Sequence, residues 1–193
     1  MEKANAADRC AASILLGNGH SEPCNAQGRY VVTCLEKEGG KVLWVAEIDN
    51  VVTTQGKNLA LDTYLAGAAY TVTGPYMGLI SSTSFTAVSA ADTMASHAGW
   101  LEAGSANAPT YTAPRGTCVW AVAASGTKAL ASPLTFAITG SGSVIGAFIT
   151  FGTGAVNTIG STAGSLYSAG AFANGTQTVS NGNLLNVQYS TSL

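Results

Sequence analysis

The chain has 193 residues, 47% of them apolar and only 9% charged, with a net charge of −2. That is enough apolar material for a packed core, which excludes a disordered protein, and the charge balance offers no basic surface for nucleic acid or an anionic membrane. No apolar run reaches the roughly 18 residues of a membrane span, and the first residues lack a basic stretch followed by an apolar one, so neither a transmembrane helix nor a secretory leader is expected.

Residues 1–28 read as an arm. Asp8 can cap a short helix through "RCAASILL" that Gly17 would stop, and "GNGHSEPCNAQG" is turn-rich. Three of the four cysteines, Cys10, Cys24 and Cys34, lie in the first 34 residues with His20 among them, and Cys118 is far along the chain. Their spacing fits no zinc module, which needs a close cysteine pair. Buried free thiols are the default reading, and a Cys10–Cys24 disulfide is the alternative.

"RYVVTCLE" and "KVLWVAEI" read as a hairpin bent at "KEGG", with Val42, Trp44, Ala46 and Ile48 on one face. Leu43 and Val45 make the other face apolar too, so the ribbon is expected to cover something on each side. Glu36 and Glu38 at the bend read as solvated. Glu47, Asp49 and Asn50 offer a few oxygens, fewer than a calcium loop supplies. "TTQGKNLALDTYLAG" then reads as a helix with Leu61, Tyr64, Leu65 and Ala68 in one stripe.

From Tyr76 the pattern is β. "YMGLISS", "TCVWAVAA", "PLTFAIT", "SVIGAFITFG", "SLYSAGAFA" and "LLNVQYSTSL" are short runs separated by small polar residues. Asn174-Gly175 and Asn181-Gly182 read as hairpin turns. The expected fold is mainly β: a β-sandwich, jelly-roll or immunoglobulin-like, with one or two short helices and an extended N-terminal arm. The expected division is an arm and hairpin over 1–50 and a sandwich domain over 51–193. The run "SVIGAFITFG" is apolar on both faces, with Val144 and Phe148 on one and Ile145, Ile149 and Phe151 on the other. Such a strand is either central or covered by another subunit, and these five residues are candidates for a subunit interface. "GTGAVNTIGSTAGS" reads as a long flexible loop.

The stretch "AADTMASHAGWLEAG" places Asp92, Ser96 and His97 close together. A serine–histidine–acid site needs the serine and histidine to face each other, and neighbours on a helix diverge by about 100°. No nucleophile elbow occurs either. The structural reading makes Asp92 the N-cap of a short helix "TMASH", sets His97 in its last turn, ends it at Gly99 and packs Met94 and Trp100 inward. Glu102 and Arg115 are expected to pair. Trp120 reads as core, or as one wall of a sugar site. No catalytic residue, cofactor or metal is expected.

Charge is unevenly placed. After Asp62 come only Asp92, Glu102, Arg115 and Lys128, and residues 129–193 carry none. A free monomer ordinarily mixes charges over its surface to resist association; a segment packed against copies of itself has no such need. A neutral secreted β protein is the alternative.

Residues 51–193 carry a resemblance. "VVTTQGKNLALDTYLAG", "YMGLISSTSFTAVSAADTMASHAGWLEAGSANAPTYTAPRG" and "SLYSAGAFANGTQTVSNGNLLNVQYSTSL" resemble, in order and content, small virion structural proteins of tailed bacteriophages. "AADTMASHAGW" and "SLYSAG" are the most specific blocks. The resemblance implies a non-enzymatic virion component and brings no catalytic residues. The expected role is a capsid decoration, or cement, protein on the capsid surface. It would bridge major capsid protein subunits, associate with copies of itself, favouring a trimer, and clamp a neighbour with its arm. A tail or fibre adhesin binding a host glycan is the alternative, through Trp120 or the 152–165 loop.

Overall fold

The computed structural model describes residues 26–65, 73–104 and 106–192. Residues 1–25 of the expected arm, with Cys10, Cys24 and His20, and the end of the expected helical stripe at Ala68 lie outside them. So do the side chains of Tyr64 and Leu65.

Mainly β structure is what the chain adopts. Among the described residues twelve strands form one curled antiparallel sheet: β1 Gln27–Leu35, β2 Val42–Val52, β3 Tyr76–Ser81, β4 Leu101–Glu102, β5 Thr110–Tyr111, β6 Gly116–Thr117, β7 Thr127–Ala129, β8 Leu134–Gly140, β9 Gly142–Phe151, β10 Ser165–Ala171, β11 Gln177–Val179 and β12 Leu184–Ser192. The main order is β4-β3-β9-β10-β2-β1-β12-β8-β5; β11 pairs with β9, β6 with β3 and β7 with β12. One helix, α1 Thr54–Leu65, lies among the described residues.

The β1–β2 hairpin turns where expected. Gly39 and Gly40 take φ of 88° and 64°, which a side chain would resist, and Glu36 N donates to Lys41 O at 2.9 Å. The hairpin is not an appendage to a domain starting at residue 51. β1 pairs along its whole length with β12, from Gln27 opposite Ser192 to Leu35 opposite Leu184, and so stands mid-sheet. β2 joins the two halves of the sheet: it pairs with β1 over most of its length, then with β10 through Val51 and Val52.

Curling brings the halves face to face over an inner core. Tyr30, Val32 and Ile48 from one half meet Met77, Leu79 and Ile149 from the other, all with no exposed surface. In β12, Leu185, Val187 and Tyr189 alternate inward as their pattern predicts. Trp44 closes an open side, packing edge-on to Phe172 at 6.0 Å and donating Nε1 to Thr178 O at 3.1 Å. The hydroxyls of Tyr30 and Ser168 bond at 2.6 Å within this core, and burial pushes the Tyr30 and Tyr189 phenols well above their ordinary range. Cys34 and Cys118 are free and buried; burial raises their thiols from about 9 to about 11 and about 12.

The asparagine–glycine dipeptides do not make hairpins. Asn174-Gly175 lies between β10 and β11, which pair with successive stretches of the same edge of β9, so it interrupts one line of pairing. Asn181-Gly182 lies between β11 and β12, which carry the chain from one half of the sheet to the other. A positive φ at Gly175 and Gly182 is correctly signalled, but a turn dipeptide does not say which strands it joins.

Helix α1 begins at a well-made cap. Thr53 is fully buried; its Oγ1 accepts from Gly56 N at 3.0 Å, and its own N–H donates to Tyr167 O at 3.0 Å. Gly56 lets the helix press on β10, because a Cβ there would stand 2.5 Å from Tyr167 O. Leu61, expected on the buried stripe, is 56% exposed.

Candidate functional site

β9 is the two-sided strand of the sequence, and both its faces are covered by this chain. Val144, Phe148 and Ile149 are fully buried and Ile145 nearly so; Phe151 is half-buried, edge-on to Tyr167 at 5.6 Å. The first four are therefore closed to a neighbouring subunit, which corrects their reading as an interface. The expected face assignment also fails, for a geometric reason. Ile80 pairs with Gly146 while Ser81 pairs with Val144, leaving Ile145 as an extra residue. This bulge shifts the alternation by one. Val144 and Ile149 face the inner core, whereas Ile145 and Phe148 face a second core on the other side of the sheet.

That second core is roofed by residues 82–100, the block around Asp92. No helix forms there. Thr93 and Ser96 bridge across a tight turn, and Thr93 Oγ1 accepts from Ser96 N at 3.0 Å. Asp92 is 9% exposed, and its Oδ2 accepts from Ser89 N and from Trp100 Nε1, each at 2.9 Å. It ties the turn at Ser89 to Trp100 at the end of the block instead of capping a helix. His97 stacks on Trp100 with ring centroids 3.9 Å apart, and its Nδ1 lies 3.0 Å from Trp100 O. Gly99 is needed for a close approach, not a helix end: a Cβ there would sit 2.2 Å from Ala87 O. Met94 and Trp100 do point inward, and Trp100 packs on Phe148 at 5.1 Å. Asp92 and His97 both engage Trp100, and these three side chains form a clasp in which the Ser96 hydroxyl has no place.

Glu102 and Arg115 pair as expected. Arg115 is 1% exposed; its Nε and Nη2 meet the two Glu102 carboxylate oxygens at 2.8 and 2.7 Å. The same pair holds the β9–β10 connection, residues 152–164. Arg115 donates to Val156 O and Ser161 O at 3.3 and 2.7 Å, and Glu102 accepts from Gly160 N at 2.7 Å. The Arg115 guanidinium also lies 5.2 Å from the centre of the Phe148 ring. A segment that reads as a flexible loop is thus bound at three backbone positions.

Glu47 pairs with Arg29, whereas Asn50 donates to the Tyr189 hydroxyl at 3.4 Å on the other side of β2. Among the described residues no three histidine, cysteine or acidic side chains converge as a metal site would require.

What sequence reading missed is the segment 118–131. It folds back on itself as a tongue: Trp120 bridges Leu130, Ala124 bridges Thr127, and β7 fixes its returning strand to the end of β12. Val119 is 64% and Val122 93% exposed, and Ala121, Ala123 and Ala124 are exposed as well. The one charge on the tongue, Lys128, folds back to donate Nζ to Ala121 O at 3.1 Å. Between the tongue and α1 lies an apolar cleft of about 500 Å³, its floor made by Phe151 and Tyr167 and its walls by Leu59 and Ala60 on one side and Trp120 and Ala123 on the other. The signal was present in "CVWAVAASGTKALAS", an apolar run with a Ser-Gly turn and one charge, but its composition fits a buried strand equally well.

No family model, no curated protein and no solved structure matches the chain.

Proposed function

We propose that this chain is a non-enzymatic structural protein of a tailed-phage virion, acting as a capsid decoration protein that bridges and stabilises major capsid subunits. The observation that supports this most is the contrast between a body that covers its own core and a tongue left uncovered. An exposed run of apolar residues flanked by a further apolar cleft is the kind of surface that a partner covers. The charge-poor second half of the chain and the blocks resembling small virion proteins point the same way. On this reading the mechanism is physical. Each copy buries apolar area at a seam between capsid subunits, and a modest gain per site, repeated over the shell, resists internal pressure.

A second reading, a tail adhesin for a host glycan, draws on Trp120 at the edge of the cleft. The cleft's apolar walls weigh against it, because sugar recognition needs polar groups placed around the aromatic platform. Copy number separates the two. Densitometry of purified virions should put a decoration protein near the abundance of the major capsid protein; a tail adhesin would number about a dozen or fewer. Failure of the purified chain to add back to emptied heads would remove the decoration reading.

A further inference from the structure

We propose that Asn174 modifies itself: the Gly175 nitrogen closes on the Asn174 side-chain amide, and the asparagine becomes aspartate or isoaspartate. The same dipeptide at Asn181-Gly182 is held back by its hydrogen bonds to β8 and to the β8–β9 connection. This goes beyond the virion reading and does not depend on it.

The step needs only water. The Gly175 nitrogen loses its proton to solvent and bonds to Asn174 Cγ. The bond from Cγ to the side-chain nitrogen breaks, and ammonia leaves with a proton from solvent. Water then opens the cyclic imide at one of its carbonyls. Opening at the side-chain carbonyl gives isomerised or ordinary main chain according to which C–N bond is cut: aspartate if the new bond breaks, isoaspartate if the old peptide bond breaks.

Glycine favours the step at both dipeptides, because no Cβ shields its nitrogen, so the sequence does not separate them. The structure does. Both asparagines are exposed. At the first, Gly175 N donates to Phe172 O at 3.1 Å, a bond closed within one turn. Local opening releases a bond of this kind. There is also room for the imide, since a Cβ on Gly175 would meet nothing within 4 Å. At the second, consecutive nitrogens are tied to distant chain. Asn181 N donates to Ser141 Oγ at 2.9 Å and Gly182 N to Ile138 O at 2.8 Å, while Ile138 N donates back to Asn183 O at 2.9 Å. Ile138 lies in β8, so freeing the Gly182 nitrogen means parting the end of β8 from the chain that enters β12.

The product matters to this chain in two ways. It puts a carboxylate into residues 129–193, which carry no charge. Isoaspartate also adds a main-chain carbon between β10 and β11, where Ala171 opposite Gly146 and Gln177 opposite Val144 pair along one edge of β9.

Incubating the purified full chain in mildly alkaline buffer tests this, with aspartate and isoaspartate at both positions quantified by tandem mass spectrometry. In the folded chain Asn174 should convert about tenfold faster than Asn181, or more. In concentrated urea the two rates should converge, because the fold supplies the difference. Ser141→Ala, at an exposed position, removes one of the two bonds and should raise the Asn181 rate roughly two- to tenfold, leaving Asn174 unchanged. Amide hydrogen exchange of the wild type gives the same ordering without a substitution: Gly175 should exchange faster than Gly182. Equal rates in the folded chain, a faster Asn181, an Asn174 that stays intact, or a ratio that persists in urea would each overturn the inference. So would an Asn181 rate indifferent to Ser141→Ala, or a Gly182 amide that exchanges as fast as Gly175.

Discussion

Residues 152–164 and the tongue at 118–131 are both rich in small residues and both leave the sheet, yet they are held in opposite ways. The first is anchored by a buried ion pair that reaches three of its backbone groups. The second is held by backbone pairing, by Gln188 Nε2 donating to Leu130 O at 2.9 Å and by Trp120 edge-on to Tyr189 at 5.9 Å, with no buried ion pair, and it turns valines outward. The residues 82–100 side with the first, fastened by Asp92. The few charged residues after Asp62 are thus spent mostly inside the molecule. Three of the four, Asp92, Glu102 and Arg115, organise irregular backbone, and only Lys128 lies on an exposed segment. The scarcity of surface charge and the firmness of these loops have one source.

Arg115→Met breaks the pinned side of the comparison hardest. It leaves two carbonyls without partners and the Glu102 carboxylate with the Gly160 N–H but no counter-charge, in a site where the arginine is 1% and the glutamate side chain 8% exposed. Removing one partner of a buried pair costs about 3–5 kcal/mol, so denaturant midpoints should fall steeply. The companion variant Arg115→Met with Glu102→Leu should recover part of that loss, because no charge is then stranded. If the single variant loses less than about 1 kcal/mol, the pair does not anchor the loop.

Asp92→Asn is the next largest. The amide oxygen can stand in for the one carboxylate oxygen that both donors share, but the charge that strengthens both bonds is gone; a loss of about 1–3 kcal/mol is expected. Chemical denaturation reads this, and near-ultraviolet dichroism of Trp100 should change with it. An unchanged stability would mean that the clasp is held by packing of Met94 and Trp100 alone.

Alkali tests the inner core, which neither loop touches through charge. Burial holds the Cys118 thiol at about 12 against an ordinary value near 9. The buried neutral form therefore contributes stability that is complete below about pH 9 and is lost as pH rises toward 12. The slope for this one group is about 1.4 kcal/mol per pH unit. Melting at pH 8 and pH 10 should show the drop in the wild type and a smaller one in Cys118→Ala. Equal drops would place the alkaline sensitivity elsewhere, the Cys34 thiol, which burial raises to about 11, being the next group to examine.

These residues also show what a sequence can convey. The β1–β2 bend, helix α1, the inward alternation of β12 and the Glu102–Arg115 pair were legible, because each depends on local spacing or on there being few charges to choose from. Strand order was not, since Asn181-Gly182 looks like any hairpin turn whether or not its flanking strands pair. The faces of β9 were misassigned because the bulge at Ile145 is set by its pairing with β3, not by its own neighbours. Asp92 looked like a cap because capping is local, whereas its partner Trp100 is eight residues away across a fold. The tongue was hidden because exposure is a property of what fails to cover a segment, and composition does not record that.

Val122→Asp carries the smallest expected effect on the folded monomer and is the sharpest test of the comparison. A side chain 93% exposed makes almost no intramolecular contact, so its replacement should move stability by no more than about 0.5 kcal/mol. Measured at concentrations low enough to keep the chain monomeric, its unfolding midpoint should coincide with that of the wild type. If copies associate through the tongue, the two should separate at high concentration, because association would then stabilise the wild type alone. A concentration-dependent gap that opens for Val122→Asp but not for Val156→Asp would locate the uncovered surface on the tongue. A gap already present at high dilution would mean that the tongue is part of the body, and the contrast between pinned and unpinned segments would lose its meaning.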